Sequence, residues 1–139
     1  MTSFVLDASV ALAWLVDKPV SPYALQVQKM LHAGARALVP ALWHLEMANG
    51  LAVAARRKAL SAEDADKALW FLEQMLTREI NTDVGPVSIR DAFATARTHQ
   101  LSAYDAVYLD LARRDGVALA TLDQPLRAAA KKAGVAIFQ

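Results

Sequence analysis

The stretch Phe4-Val5-Leu6-Asp7-Ala8-Ser9 decides the fold. Three apolar residues run directly into an acid, and the apolar segment Val10-Ala11-Leu12-Ala13-Trp14-Leu15-Val16 follows at once. That order predicts a buried strand, a sharp exit and a helix over Val10 to Val16, with Ser9 as its cap. The helix is apolar nearly all round, so it is buried or covered by a partner. In open parallel sheets the ligand sits beyond the carboxyl ends of the strands, and Asp7 falls there on the first strand.

The same grammar recurs along the chain. Ser21 and Pro22 open a helix through Leu25, Met30 and Leu31 that ends near Gly34. Ala37-Leu38-Val39 reads as a second strand stopped by Pro40, and a long helix follows from about Ala41 to Lys58. Ser61-Ala62-Glu63-Asp64 is a capping-box start to a helix with Ala65, Ala68, Leu69, Leu72 and Leu76 at helical spacing. Trp70 and Phe71 widen that stripe and read either as core or as a subunit interface. Glu79 to Asp83 alternates as a third strand, and Val87 to Gln100 is a helix with Ile89, Phe93 and Ala96 on one side. A further helix opens at Ser102-Ala103-Tyr104-Asp105, sends Val107, Tyr108, Leu111 and Ala112 inward, and stops at Gly116. Val117 to Ala120 is a fourth strand, Thr121-Leu122-Asp123 its exit, and Val135 to Phe138 the last strand. Short strands alternating with helices predict an α/β protein with a parallel sheet. The strands are continuously apolar, which says the sheet is covered on both faces.

Composition narrows the function classes. At 139 residues and 55% hydrophobic, the chain is read as one domain, residues 1–139, with a proper core. It has no cysteine, so disulfides and thiolate metal sites are excluded, and a reducing cytoplasm is the expected compartment. No apolar run approaches the roughly 18 residues of a membrane span, and no signal peptide is apparent. The net charge of +1 announces no nucleic-acid partner, so such binding has to come from local clusters or from metal. Arg56-Arg57-Lys58 reads either as a solvated helix end or as an RNA-backbone contact.

Four acids stand apart. Asp7 and Asp123 each follow an apolar strand, Asp105 lies in the first turn of a helix, and Glu46 sits inside an apolar helix. Each has an ordinary explanation: the aspartates as helix caps, Glu46 as half of a buried salt bridge. Parallel topology, however, points every strand exit to one edge of the sheet. Gathered there, carboxylates repel unless a cation joins them. An all-oxygen set suits Mg²⁺ or Mn²⁺, and a water activated by such an ion could attack a phosphodiester. His32, His44 and His99 lack the paired spacing of a metal site and read as non-catalytic.

The chain resembles the PIN-domain ribonucleases, and within them the VapC toxins of prokaryotic toxin–antitoxin pairs. The pieces that carry the resemblance are Val5-Leu6-Asp7-Ala8-Ser9, Pro40 with Glu46-Met47-Ala48-Asn49, Leu101 to Leu109, and Ala120-Thr121-Leu122-Asp123. The resemblance implies a three-layer α/β/α sandwich around a parallel sheet of about five strands. It implies that Asp7, Glu46, Asp105 and Asp123 form the catalytic, Mg²⁺- or Mn²⁺-binding centre, supported through hydrogen bonds by Ser9, Asn49 and Thr121. It further implies endonuclease action on RNA, a homodimer and a cognate antitoxin that covers the active site. One departure is Lys58-Ala59-Leu60, where relatives often place a glycine before the next helix; it bears on a turn and not on the chemistry. Two other classes stand beside this reading: a phosphoacceptor signalling domain drafting Asp7, Thr121 and Lys131, and a non-catalytic RNA-binding module using Arg56-Arg57-Lys58 and Lys131-Lys132.

Overall fold

The computed structural model describes residues 2–139. Strand β1 (Ser3–Leu6) leads into helix α1 (Ala8–Val16) and helix α2 (Pro22–His32). Strand β2 (Arg36–Pro40), helix α3 (Ala41–Arg56) and helix α4 (Ala62–Arg78) follow. Strand β3 (Ile80–Asp83), helices α5 (Ile89–His99) and α6 (Ala103–Asp115), strand β4 (Ala118–Ala120) and helix α7 (Gln124–Lys132) complete the order. The sheet runs β3-β2-β1-β4, and every pairing is parallel. Helices flank it, as the α/β expectation requires.

β1 is central, which explains its composition. Phe4, Val5 and Leu6 are wholly buried, each worth about 1.5–3 kcal/mol in transfer from water. The Phe4 ring stacks on Phe138, with centroids 3.8 Å apart. Val5 sits in register with Leu38 on one side and Leu119 on the other.

The fifth strand is reduced to a single bridge, Leu119 with Ile137. Leu119 N–H donates to the Ala136 carbonyl and Phe138 N–H to the Leu119 carbonyl, both at 2.9 Å. The ladder stops there because its other groups are engaged elsewhere. Val135 N–H closes the end of α7 on the Ala130 carbonyl, and the Phe138 carbonyl accepts from the Tyr23 hydroxyl.

Several local expectations are corrected. α1 starts at Ala8, so Ser9 is not its cap; Asp7 holds the N-cap position. The helix expected over Val87 to Gln100 is shorter, Ile89–His99; the side of α5 that carries Ile89 and Phe93 faces solvent, at 86% and 62% exposure, and its buried positions are Ala92 and Thr95. Trp70 is 64% exposed and not core, whereas Phe71 packs against the core as the simpler reading held. Leu69 is also exposed. The turn after α3 forms with Lys58 itself at φ 59°, at about 1 kcal/mol for a left-handed non-glycine residue.

α1 and α3 pack together at Gly50. A Cβ there would stand 2.5 Å from Leu12 Cδ2. Glycine therefore lets α3 approach the helix that begins beside Asp7. Glu46 lies one turn before Gly50 on the same helix face.

Candidate active site at the carboxyl edge of the sheet

Asp7 follows β1, and Asp123 closes the short exit of the adjacent strand β4. The pairing reaches past the strands proper: Asp7 N–H donates to the Ala120 carbonyl at 3.0 Å. This brings Thr121 beside Asp7. Asp7 Oδ2 accepts from the hydroxyls of Ser9 and Thr121, each at 2.7 Å, and the residue is 5% exposed. The same hydroxyls serve the neighbouring exit loop. Ser9 Oγ accepts from Leu122 N–H, and Thr121 Oγ1 from Asp123 N–H, both at 3.0 Å. Ser9 and Thr121 thus both bond to Asp7. Asn49 does not: it is exposed on α3 and makes no side-chain hydrogen bond among the described residues.

Asp123 keeps its ordinary role as well. Its Oδ2 caps α7 by accepting from Leu126 N–H at 2.9 Å. Asp105 lies in the first turn of α6, where Ser102 Oγ accepts from its backbone N–H at 3.1 Å. Glu46 is half-buried, and the salt bridge that would be its ordinary explanation is absent: no lysine or arginine makes a salt bridge to any of the four acids among the described residues. Its partner is the Tyr108 hydroxyl, which donates to Oε1 at 2.5 Å. The sequence reading placed Tyr108 in the core without giving it a role in the site. The signal was its spacing, one turn after Asp105 on the same helix face.

The acids act on one another. Burial, and then the charge of Asp123, raises the Asp7 carboxyl above its ordinary value, against the lowering pull of the Ser9 and Thr121 hydroxyls and the backbone. Burial, followed by the charges of Asp7 and Asp105, raises Glu46 although the Tyr108 hydrogen bond opposes it. Burial, followed by the charges of Asp123 and Asp7, raises Asp105. Burial and the Glu46 hydrogen bond push the Tyr108 phenol well above its usual range, so it remains a donor. Four carboxylates therefore share one neighbourhood at the carboxyl edge. Among the described residues, no three acids or histidines converge into a ready ligand cage. The histidines are engaged elsewhere or apart: His32 meets Glu79, and His44 meets Thr82.

The alternative drafts fare differently. A phosphoacceptor site needs its lysine at the carboxyl edge. Lys131 instead lies near the far end of α7, about 12 Å along the axis from the cap at 1.5 Å per residue. Arg56-Arg57-Lys58 and Lys131-Lys132 end helices that start at the acidic edge, so both basic ends point away from it.

The chain belongs to the PIN domain family, whose sequence profile matches residues 4–132. Over 84 residues it is 37% identical to "Ribonuclease VapC3" of Pyrobaculum aerophilum, an alignment covering 58% of this chain and 61% of that protein. Among solved structures, PAE2754 of Pyrobaculum aerophilum superposes with a TM-score of 0.69 at 22% identity, over 92% of this chain and 84% of the other. FitAcB of Neisseria gonorrhoeae does so with a TM-score of 0.63 at 21% identity, over 98% and 96%. VapBC2 of Rickettsia felis, solved bound to a DNA fragment from its promoter, gives a TM-score of 0.60 at 13% identity, over 99% and 98%. No helix among the described residues is long and apolar enough to cross a membrane.

Proposed function

We propose that this protein is a divalent-metal-dependent endoribonuclease, the toxin of a toxin–antitoxin pair, which hydrolyses RNA phosphodiester bonds. The observation that carries the reading is the set Asp7, Glu46, Asp105 and Asp123: burial first, and then the charge of the neighbouring acids, raises the carboxyls of Asp7, Glu46 and Asp105, and no lysine or arginine bridges any of the four among the described residues. Buried like charges of this kind call for a cation. The donor set is all oxygen, which fits Mg²⁺ or Mn²⁺.

In this reading the four acids would hold the ion, which when bound would supply positive charge against the charge that develops on the phosphodiester and lower the pKa of a water. The chain's own part is to orient and to desolvate. The Ser9 and Thr121 hydroxyls orient Asp7 in a buried place and favour its charged form against burial, and their hydrogen bonds to the exit loop keep Asp123 beside it.

The protein partners of the proposal are a cognate antitoxin over the site and a second copy of the chain. Apolar residues left in water support them: Leu45 and Tyr104 adjoin Glu46 and Asp105 in sequence, and Ile89, Phe93 and Trp70 are exposed elsewhere. The cytoplasm is the compartment that goes with an RNA substrate and a chain free of cysteine.

Cleavage of RNA with Mg²⁺ or Mn²⁺, comparing wild type with Asp7→Ala, tests the reading. Metal-dependent cleavage by wild type and its loss in the variant are expected. Equal cleavage by both ends the proposal.

A further inference from the structure

We infer that Tyr108 is a positioning residue, whose hydroxyl aims the Glu46 carboxylate at the divalent cation. The inference rests on the proposed metal function and concerns how one of its ligands is held. Glu46 has the longest side chain of the four acids and the most torsions to fix. Asp7 is fixed by two hydroxyls, and Asp123 by the backbone at the start of α7. Glu46 is fixed by the Tyr108 hydroxyl on Oε1, which leaves Oε2 for another partner.

A buried tyrosine needs an acceptor for its hydroxyl, and any backbone carbonyl would serve that need. The acceptor here is instead an acid of the site. Tyr108 is wholly buried, so its ring cannot swing. It shares a face of α6 with Asp105 one turn earlier. A single rigid helix therefore presents one acid and clamps another that belongs to α3. This couples two carboxylates that the chain supplies 59 positions apart, from Glu46 to Asp105.

The experiment is a calorimetric titration of metal-free protein with Mn²⁺, without RNA, on wild type, Tyr108→Phe, Glu46→Ala and the double variant. Phenylalanine fills the same space, so the thermal midpoint should stay close to wild type. Mn²⁺ affinity should fall about 10- to 100-fold, the usual effect of losing a group that orients a metal ligand. In the Glu46→Ala background the second change should add nothing, because the group it orients is gone. In RNA cleavage, the Mn²⁺ concentration for half-maximal rate should rise with a much smaller change in rate at saturation. Equal affinity of wild type and Tyr108→Phe overturns the inference and leaves the metal site standing. A loss of the same size with and without Glu46 also overturns it, since Tyr108 then acts elsewhere. If wild type takes up no Mn²⁺, the metal reading fails and this inference fails with it. Should the phenylalanine variant not fold, 3-fluorotyrosine at position 108 keeps the shape and strengthens the donor; unchanged Mn²⁺ affinity would then count against the inference, and a shift would support it.

Discussion

The corner where β1 meets α1 and the corner where β4 meets α7 are written alike and built differently. In both, an apolar strand gives way to an aspartate at a helix N-cap in extended conformation, φ −73° for Asp7 and φ −76° for Asp123. Asp123 caps its helix through Leu126 N–H. Asp7 makes no side-chain cap, and α1 starts without one, forgoing about 1 kcal/mol. The difference lies in what stands nearby. Ser9 and Thr121 reach Asp7 Oδ2 first, one from the following turn and one from the neighbouring strand's exit. Asp7 is withheld from its helix and buried among hydroxyls, whereas Asp123 serves its helix as well as the proposed ion.

The sharpest way to break the comparison is to neutralise each acid without changing its shape. Asp7→Asn should lower metal-dependent RNA cleavage about a hundred- to a thousandfold, since a metal contributes several kcal/mol to such a transition state and about 1.4 kcal/mol is tenfold in rate. Asp123→Asn should lower it comparably. In stability the two should part. Asp7→Asn removes a charge that burial penalises, so the metal-free protein should melt at higher temperature than wild type. Asn caps a helix as well as Asp does, so Asp123→Asn should melt near wild type. Equal melting shifts for both variants would erase the distinction between the corners.

That distinction was only half legible in the sequence. Continuous apolar runs at Phe4 to Leu6 and Val117 to Ala120 gave away the parallel sheet, because a sheet covered on both faces leaves no polar alternation. The positions of Asp7 and Asp123 followed from strand polarity alone. What each carboxylate bonds to did not follow, because Ser9 and Thr121 are 112 positions apart and meet only through strand pairing. The Tyr108–Glu46 contact was hidden for the same reason, being made between two helices. The side of α5 that meets the core was not legible either: Ile89 and Phe93 repeat at helical spacing, but they face solvent and the buried positions are Ala92 and Thr95. Lys58 shows tolerance, since the turn accepts a left-handed lysine where glycine would be unstrained.

The hydroxyl that joins the corners gives the next largest effect. Thr121→Val keeps the shape but takes one donor from Asp7 and the acceptor from Asp123 N–H. Leaving such buried groups unsatisfied costs about 1–3 kcal/mol, to be read from the shift of a urea unfolding midpoint. No shift would mean that the two corners are independent. Below this in size comes the cap: Asp123→Ala should cost about 1 kcal/mol in the same measurement, where Asp123→Asn costs a few tenths at most. A similar loss for both would show that the charge of Asp123, and not its cap, stabilises the fold.

The smallest effect is the dependence of stability on pH without metal. Asp7, Glu46 and Asp105 all have carboxyls raised in the folded protein, by burial first and by one another's charge next. A raised acid holds its proton in the folded state after the unfolded chain has released it. Its contribution is therefore fully present below the ordinary carboxylate range, near about pH 4, and is lost as pH rises through the raised value. Glu46 and Asp105 are only half-buried, so solvent screens their share and Asp7 should dominate. The clean measurement is a difference: the melting temperature of Asp7→Asn minus that of wild type, followed upward from about pH 4. It should widen as pH rises and then level off, and added Mn²⁺ should shrink it by stabilising wild type alone. A difference that stays flat with pH would mean that the charge on Asp7 costs the fold nothing, and the two corners would then differ in geometry only.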